Sequence, residues 1–398
     1  MNSYMESITV ILPFQINKKD TDIWKSTSEI STYLEKELKP FMIGKKFSWK
    51  KIENDNDNAI GVEKAFENQT NLQMFHQNFT PEVAETIYNS SQKIIHLIAT
   101  LGNESIKETI KEGTLGFAKV GNKIQIVSCE KENHVLYKIR KIHISATVFG
   151  SCLLIIEMYQ KIIKDKQEIL TEQDYWDIEN ICKSIGIVSN EKTEISFPTR
   201  CHPYIAKLSW EDSGDTDVRT DYEKMSVHRI VLHDNNYEEM EKDIIQFFSK
   251  TFECFWINAL QKTVAMYISS WAGSDKITHK SFVDIYEAYV LFDNQFNFLE
   301  VSFNPEIQKE YQIIKDSMEI DNNIEKLSRQ IEALRSINLN KKDDKRNVIL
   351  AFISVLSLIT GCMQVTESFG ATPNICANII AGGASIIIGL VLFFIFVK

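Results

Sequence analysis

The C-terminal segment constrains this chain more than any other part of it. From Asn347 to Lys398 only Glu367 and Lys398 carry charge, and two apolar stretches stand there, 348–365 and 375–397. A helix needs about 20 apolar residues to cross hydrocarbon, with a range of about 17–25. The first stretch is at the short end and the second is comfortable. Thr366–Asn374 between them has turn chemistry at Gly370 and Pro373-Asn374. The sequence therefore predicts two spanning helices joined by a short loop. Lys341, Lys342, Lys345 and Arg346 precede the first, Lys398 ends the second, and the loop has neither Lys nor Arg. The positive-inside rule then places both termini in the cytoplasm. Met1–Glu6 does not open a basic region followed by an apolar run, so no secretory signal is expected.

Both stretches are patterned. Asn347, Leu350, Ser354, Ser357, Gly361 and Gln364 follow a 3-4-3-4-3 spacing and share one helical face. A polar stripe is unfavourable against lipid, so Asn347, Ser354, Ser357, Gly361 and Gln364 are read as pore-lining. Ala377, Ala381, Ser385 and Gly389 recur every four residues, a spacing that lets helices approach closely. Two spans cannot enclose a pore alone, so a pore requires a homo-oligomer; the alternative is ordinary packing in a passive anchor.

Glu367 and Lys398 cancel, so the formal charge of -10 rests on Met1–Arg346. Phosphates repel such a body, and no direct nucleic-acid partner is expected. The cysteines at 129, 152, 182, 201, 254, 362 and 376 are odd in number with no Cys-x-x-Cys pair, which suits unpaired thiols in a reducing compartment.

Along the body, Ile8–Phe14 reads as a strand and Trp24–Leu38 as a helix. Lys50–Asn58 reads as a loop, Pro81–Leu101 as a helix, and Phe117–Val127 as a hairpin turning at Gly121-Asn122. Val135–Val148 looks β-like, Ser151–Lys166 returns to a helical period, and Ser196–His233 alternates short strands with polar loops. The order predicts a mixed α/β or α+β domain. From Tyr237 the chain turns helical, broken at Gly273-Ser274-Asp275. A last helix begins near Pro305, with Ile320, Ile324, Leu327, Ile331 and Leu334 at heptad spacing. No Gly or Pro lies between Glu306 and Leu350. One stalk helix over 305–365, about 90 Å long at 1.5 Å per residue, is expected to enter the first span. The expected divisions are a ligand-sensing domain at 1–236, its helical segment at 237–304, the stalk at 305–346 and the hairpin at 347–398.

This order of parts resembles the CorA family of divalent-cation channels over the whole chain as architecture, though little of it as sequence. The family signature, Gly-Met-Asn at the outer end of the first span, is absent. Cys362, Met363 and Gln364 stand in its three positions, and only the methionine is kept. CorA-like proteins without the signature occur as membrane effectors of type III CRISPR defence, activated by a conjugate of S-adenosylmethionine and AMP. The resemblance implies a pentamer in a bacterial inner membrane, opened or disrupted when that nucleotide second messenger binds the cytoplasmic domain. The alternative it implies is a magnesium channel. A membrane-anchored enzyme is the third reading.

Catalytic signatures are missing. Gly116–Lys123 looks like a phosphate-binding loop, but Asn122 displaces the lysine and no Ser or Thr follows. Cys201-His202 and the pair His228, His233 are not at zinc spacings, so no metal site is expected. A dinucleotide-like ligand needs cations for phosphate, an aromatic slot for adenine and a carboxylate for ribose. Two regions offer these groups. One is Arg140, Lys141 and His143; the other is Arg200, His202, Tyr204, Trp210 and Arg219, with Asp212, Asp215 and Asp217 nearby. The second is richer and is taken as the candidate ligand site, with a solvated surface as the alternative for both.

Overall fold

The computed structural model describes residues 3–18, 47–51, 78–89, 93–101, 108–109, 114–120, 123–130, 135–163, 181–183, 193–197, 203–211, 217–232, 246–273 and 279–339, with single positions at 29, 30, 32, 185, 187, 189, 243, 346, 349, 350 and 353. Two compact units divide it, 1–274 with 284–327, and 275–283 with 328–398.

The first unit is built on a sheet. Its strands are β1 (Ser3–Lys18), β2 (Phe47–Lys51), β3 (Ile94–Leu101), β4 (Glu108–Thr109), β5 (Leu115–Val120) and β6 (Lys123–Ser128). They continue as β7 (Tyr137–Thr147), β8 (Ser151–Ile163), β9 (Thr193–Ser196), β10 (Tyr204–Glu211), β11 (Asp217–Glu223) and β12 (Ser226–Leu232). Among the described residues these form one twelve-stranded sheet along the path β11-β12-β10-β1-β8-β7-β3-β2, with β4, β5, β6 and β9 branching from it. Every pairing is antiparallel except β10 with β12, which is parallel.

The helices are α1 (Pro81–Ala84), α2 (Glu253–Ala272), α3 (His279–Gln295) and α4 (Pro305–Ser317). A π-helical turn, Glu85–Asn89, follows α1, and a second, Phe247–Phe252, leads into α2. Thr80 caps α1 through Val83 N–H, and Asn304 caps α4 through Glu306 N–H, each with proline at the start of the helix.

Successive side chains of a strand point to opposite faces, and both faces here are used. Ile8, Val10, Leu12 and Phe14 of β1 lie in register with Met158, Ile156, Leu154 and Cys152 of β8. These belong to a core that continues through Ile142 and Ile144 of β7. The other face lies under the helices: Tyr204 of β10 meets Phe255 of α2 edge-on, with ring centroids 6.2 Å apart.

The structure corrects the helical reading of Ser151–Lys166. Ser151–Ile163 is a strand, and Ser151–Met158 is buried at every position. It sits between β1 and β7 and is covered on both sides, so it lacks the polar alternation that marks a half-buried strand. Pro81–Leu101 is likewise not one helix; after the turn ending at Asn89 the chain forms β3.

The expected stalk and hairpin are corrected as well. The helix from Pro305 stops at Ser317, Met318-Glu319 makes a turn with Glu319 at φ 56°, and helical winding resumes over 320–339. No glycine or proline marks this break. Tertiary contacts hold it. Buried Lys262 of α2 donates from Nζ to the Met318 carbonyl oxygen at 2.8 Å, satisfying a helix C-terminus with a cation. Lys224 pairs with Glu319 at 3.0 Å, and buried Lys315 pairs with Asp321 at 2.7 Å. Among the described residues no helix is long and apolar enough to cross a membrane. The spans expected at 348–365 and 375–397 lie outside those residues, apart from Ile349, Leu350 and Ile353. The fold is thus a sheet-rich body, and not the expected mixed α/β domain continued by one long stalk helix. Against the ion-channel reading and the multi-pass, inner-membrane placement stands the finding that no described helix could cross a membrane.

Lys262→Met leaves the Met318 carbonyl without its charged donor. Unfolding free energy is expected to fall by about 1–3 kcal/mol, read as a lower urea midpoint. Lys224→Ala, which removes an exposed pair, is expected to leave that midpoint in place. Equal midpoints for wild type and Lys262→Met contradict the role given to Lys262.

Candidate functional site

The helix-side face of the sheet carries an unusual set of polar groups. Strand register arranges them in rows. Ala206, Thr9, Glu157 and Lys141 lie side by side on β10, β1, β8 and β7. The next row is Tyr204, Ile11, Ile155 and His143. The one beyond holds Pro13, Leu153, Ser145 and His96. Directly opposed residues on one face have Cβ atoms about 4.5–5.5 Å apart, so these rows are contiguous.

A bulge places Lys141. The register of β7 on β8 shifts between Ile139 and Lys141, so Ile139 faces Met158 and Lys141 faces Glu157. Without that extra residue Arg140 would stand opposite Glu157. The bulge instead turns Arg140 out to solvent and re-aims the strand.

Thr9 is 1 % exposed and Glu157 5 % exposed. Thr9 Oγ1 and Glu157 Oε1 have no hydrogen-bond partner among the described residues. Leaving a buried polar group unmet costs about 1–3 kcal/mol, and more for a charge. Glu6, three residues from Thr9 on β1, shows the contrast. Its carboxylate accepts from the Tyr137 hydroxyl at 3.0 Å and pairs with Lys207.

The two histidines are held neutral. Burial pushes the pKa of His143 well below 6.5, and the positive charge of Lys141 acts the same way. Burial also lowers His96, against a backbone hydrogen bond to Ile87. His96 Nε2 lies 3.0 Å from the Ile87 carbonyl and Nδ1 lies 3.0 Å from Ser145 Oγ. A carbonyl only accepts, so Nε2 carries the proton and Nδ1 accepts from Ser145. Ile87 belongs to the π-helical turn Glu85–Asn89, a distortion common at functional sites. The His96 ring also lies against Trp256 of α2, centroids 6.0 Å apart. Buried acceptors, a cation in register and an aromatic wall can bind a ligand that brings hydroxyl or ammonium donors.

The other candidate region is not brought together. Arg200 and His202 lie outside the described residues, as do Asp212 and Asp215. Tyr204 and Trp210 are buried on the helix-side face. Trp210 is in register with Val231 and, beyond it, Val218; Ser209 is in register with Ile230 and, beyond it, Arg219. Arg219 therefore sits on the opposite face from both aromatics, exposed and paired with Asp221 at 3.1 Å. The expected pore residues Asn347, Ser354, Ser357, Gly361 and Gln364, with Cys362 and Met363, also lie outside the described residues. No group of three or more metal-ligating side chains occurs among the described residues.

Sequence reasoning raised Lys141 and His143, with Arg140, but preferred the region from Arg200 to Arg219, and it missed Thr9, Glu157, His96 and Trp256. A signal existed for two of them. Glu157 is the one charge in Ser151–Tyr159, and Thr9 the one hydroxyl in Ile8–Phe14. A lone polar residue in a strand otherwise apolar marks a buried group with a purpose.

No protein-family model, curated relative or solved structure matches this chain.

Neutral His96 and His143 give stability a definite pH dependence. Their folded pKa values lie below 6.5, so the unfolded chain takes up protons first as pH falls. Their contribution is fully present above about pH 6.5 and is lost below it, by up to about 1.4 kcal/mol per pH unit for each ring still neutral in the fold. Urea midpoints measured from pH 7.5 to 5 are expected to fall, and His143→Gln to fall less steeply. An unchanged slope in His143→Gln contradicts a buried neutral ring.

Proposed function

We propose that the sheet body is a non-catalytic sensor of a nucleotide second messenger in antiviral defence, working in a homo-oligomer. The S-adenosylmethionine–AMP conjugate is its ligand. The observation that carries this reading is the buried Glu157 carboxylate, with Oε1 unpartnered, set between Thr9 and Lys141. A ribose diol or an ammonium group supplies the donors this carboxylate lacks, and Lys141 suits a phosphate. Trp256 and His96 offer a stacking wall for adenine. The choice of this conjugate among nucleotides is taken from the sequence resemblance to defence effectors, whose stalk the described residues do not bear out; the site itself calls only for a nucleotide.

Binding acts on the rest of the body through α2. That helix carries Trp256 beside the polar rows and Lys262 at the end of α4. The messenger shifts the fold only as far as it binds one arrangement of α2 better than another.

Isothermal calorimetry on the full chain tests the reading. Submicromolar binding of the conjugate is expected, with no comparable heat from AMP, ATP or magnesium and no turnover. Glu157→Gln is expected to weaken binding at least tenfold, about 1.4 kcal/mol. Absence of conjugate binding, or equal binding by Glu157→Gln, contradicts the proposal.

A further inference from the structure

The helix-side face holds a second set of unmet groups, and these are donors. Trp210 of β10 is 5 % exposed, and its indole Nε1 has no hydrogen-bond partner among the described residues. Arg229 of β12 is half-buried, and its Nε is likewise buried and unpartnered. The two share a face. Leu208 is in register with Arg229 and Trp210 with Val231, so Trp210 and Arg229 stand two residues apart on neighbouring strands. Strand spacing and rise put their Cα atoms about 8 Å from each other. An indole N–H and a guanidinium N–H can only donate. What they lack is an acceptor.

The surroundings define which acceptor fits. Arg229 Nη1 donates to Thr251 Oγ1 at 3.3 Å, and Thr251 donates in turn to Glu310 at 2.7 Å. Tyr222 also donates to Glu310, at 2.9 Å. Thr251 belongs to the π-helical turn Phe247–Phe252, the second such turn beside a set of unmet polar groups. Glu310 stands one hydrogen bond beyond Arg229, through Thr251. Its carboxylate repels a polyphosphate more strongly than a singly charged oxyanion.

The geometry points to a seat for a singly charged oxyanion, a carboxylate or a phosphodiester, formed by Trp210 Nε1 and Arg229 Nε beside the turn Phe247–Phe252. It lies at β10 and β12, whereas the acceptor row lies on β1, β8 and β7. It does not depend on the messenger reading, and one can fail without the other.

The test uses the full chain with 15N-labelled tryptophan indoles. The indole resonance that vanishes in Trp210→Phe identifies the site. Acetate, dimethyl phosphate and inorganic phosphate are titrated separately. The Trp210 resonance is expected to shift and saturate with acetate or dimethyl phosphate, whichever the seat prefers. Inorganic phosphate, mostly doubly charged above pH 7.2, is expected to bind at least tenfold more weakly. Arg229→Lys keeps the charge but loses the Nε donor, and is expected to weaken the effect at least tenfold with no change in thermal midpoint. A Trp210 resonance that stays in place with all three anions overturns the inference, as does a saturating shift of equal strength in Arg229→Lys. Should Arg229→Lys fold poorly, Thr251→Val provides the second variant: it frees Arg229 Nη1 and leaves the Nε donor, so oxyanion binding is expected to persist. Loss of binding in a folded Thr251→Val also overturns it.

Discussion

The pairing of β1 with β8 is the constraint on which the rest of this structure depends. Ser3–Gln15 lies antiparallel to Ser151–Ile163 without a break in register. It joins parts of the chain nearly 150 residues apart and sets both faces of the sheet at once. On one face it stacks Ile8, Val10 and Leu12 on Met158, Ile156 and Leu154. On the other it sets Thr9 beside Glu157. A slip by one residue would turn the hydrophobic set over to the helices and the polar pair into the core. The site thus exists because the register does, and the apolar core enforces that register.

Helix α2 is the second organising element. It is buried along most of its length, including the polar residues Asn258, Gln261, Lys262 and Thr263. Each of these is spent on a backbone carbonyl: Asn258 on Cys254 and Tyr311, Gln261 on Phe296, Lys262 on Met318, Thr263 on Ala259. The bonds to Tyr311, Phe296 and Met318 fix α2 to α4 and to the end of α3, those to Cys254 and Ala259 lie within α2, and Phe255 and Trp256 lie against the sheet. The first half of α2 thus touches both the polar rows, through Trp256, and the turn Met318-Glu319, through Lys262.

Local signals were legible where local chemistry decides structure. The strand at Ile8–Phe14, the pairing of β5 with β6, the start of α4 at Pro305 and the end of α2 at Gly273 all follow from propensity and turn residues. What was not legible came from tertiary context. β8 is covered on both faces and so carries no alternation. The break after Ser317 has no glycine or proline because Lys262, far away in sequence, holds it. Of the candidate site, Lys141 and His143 stood out with Arg140 as a cluster in one β-like stretch, but the richer set from Arg200 to Arg219 was preferred over them. Glu157 carried a signal as the lone charge in Ser151–Tyr159, but nothing there indicates which strand will lie beside it. Trp210 and Arg219 were close in sequence but fell on opposite faces, since strand parity, not proximity along the chain, decides which side chains meet.

The central claim is that the sheet face beneath α2 holds the ligand. Hydrogen exchange on the full chain, with and without the S-adenosylmethionine–AMP conjugate, tests it most directly. The account predicts slower exchange in Glu253–Ala272 and in β1 and β8 when the conjugate is bound. Exchange unchanged in these elements, with protection confined to other parts of the chain, would contradict it.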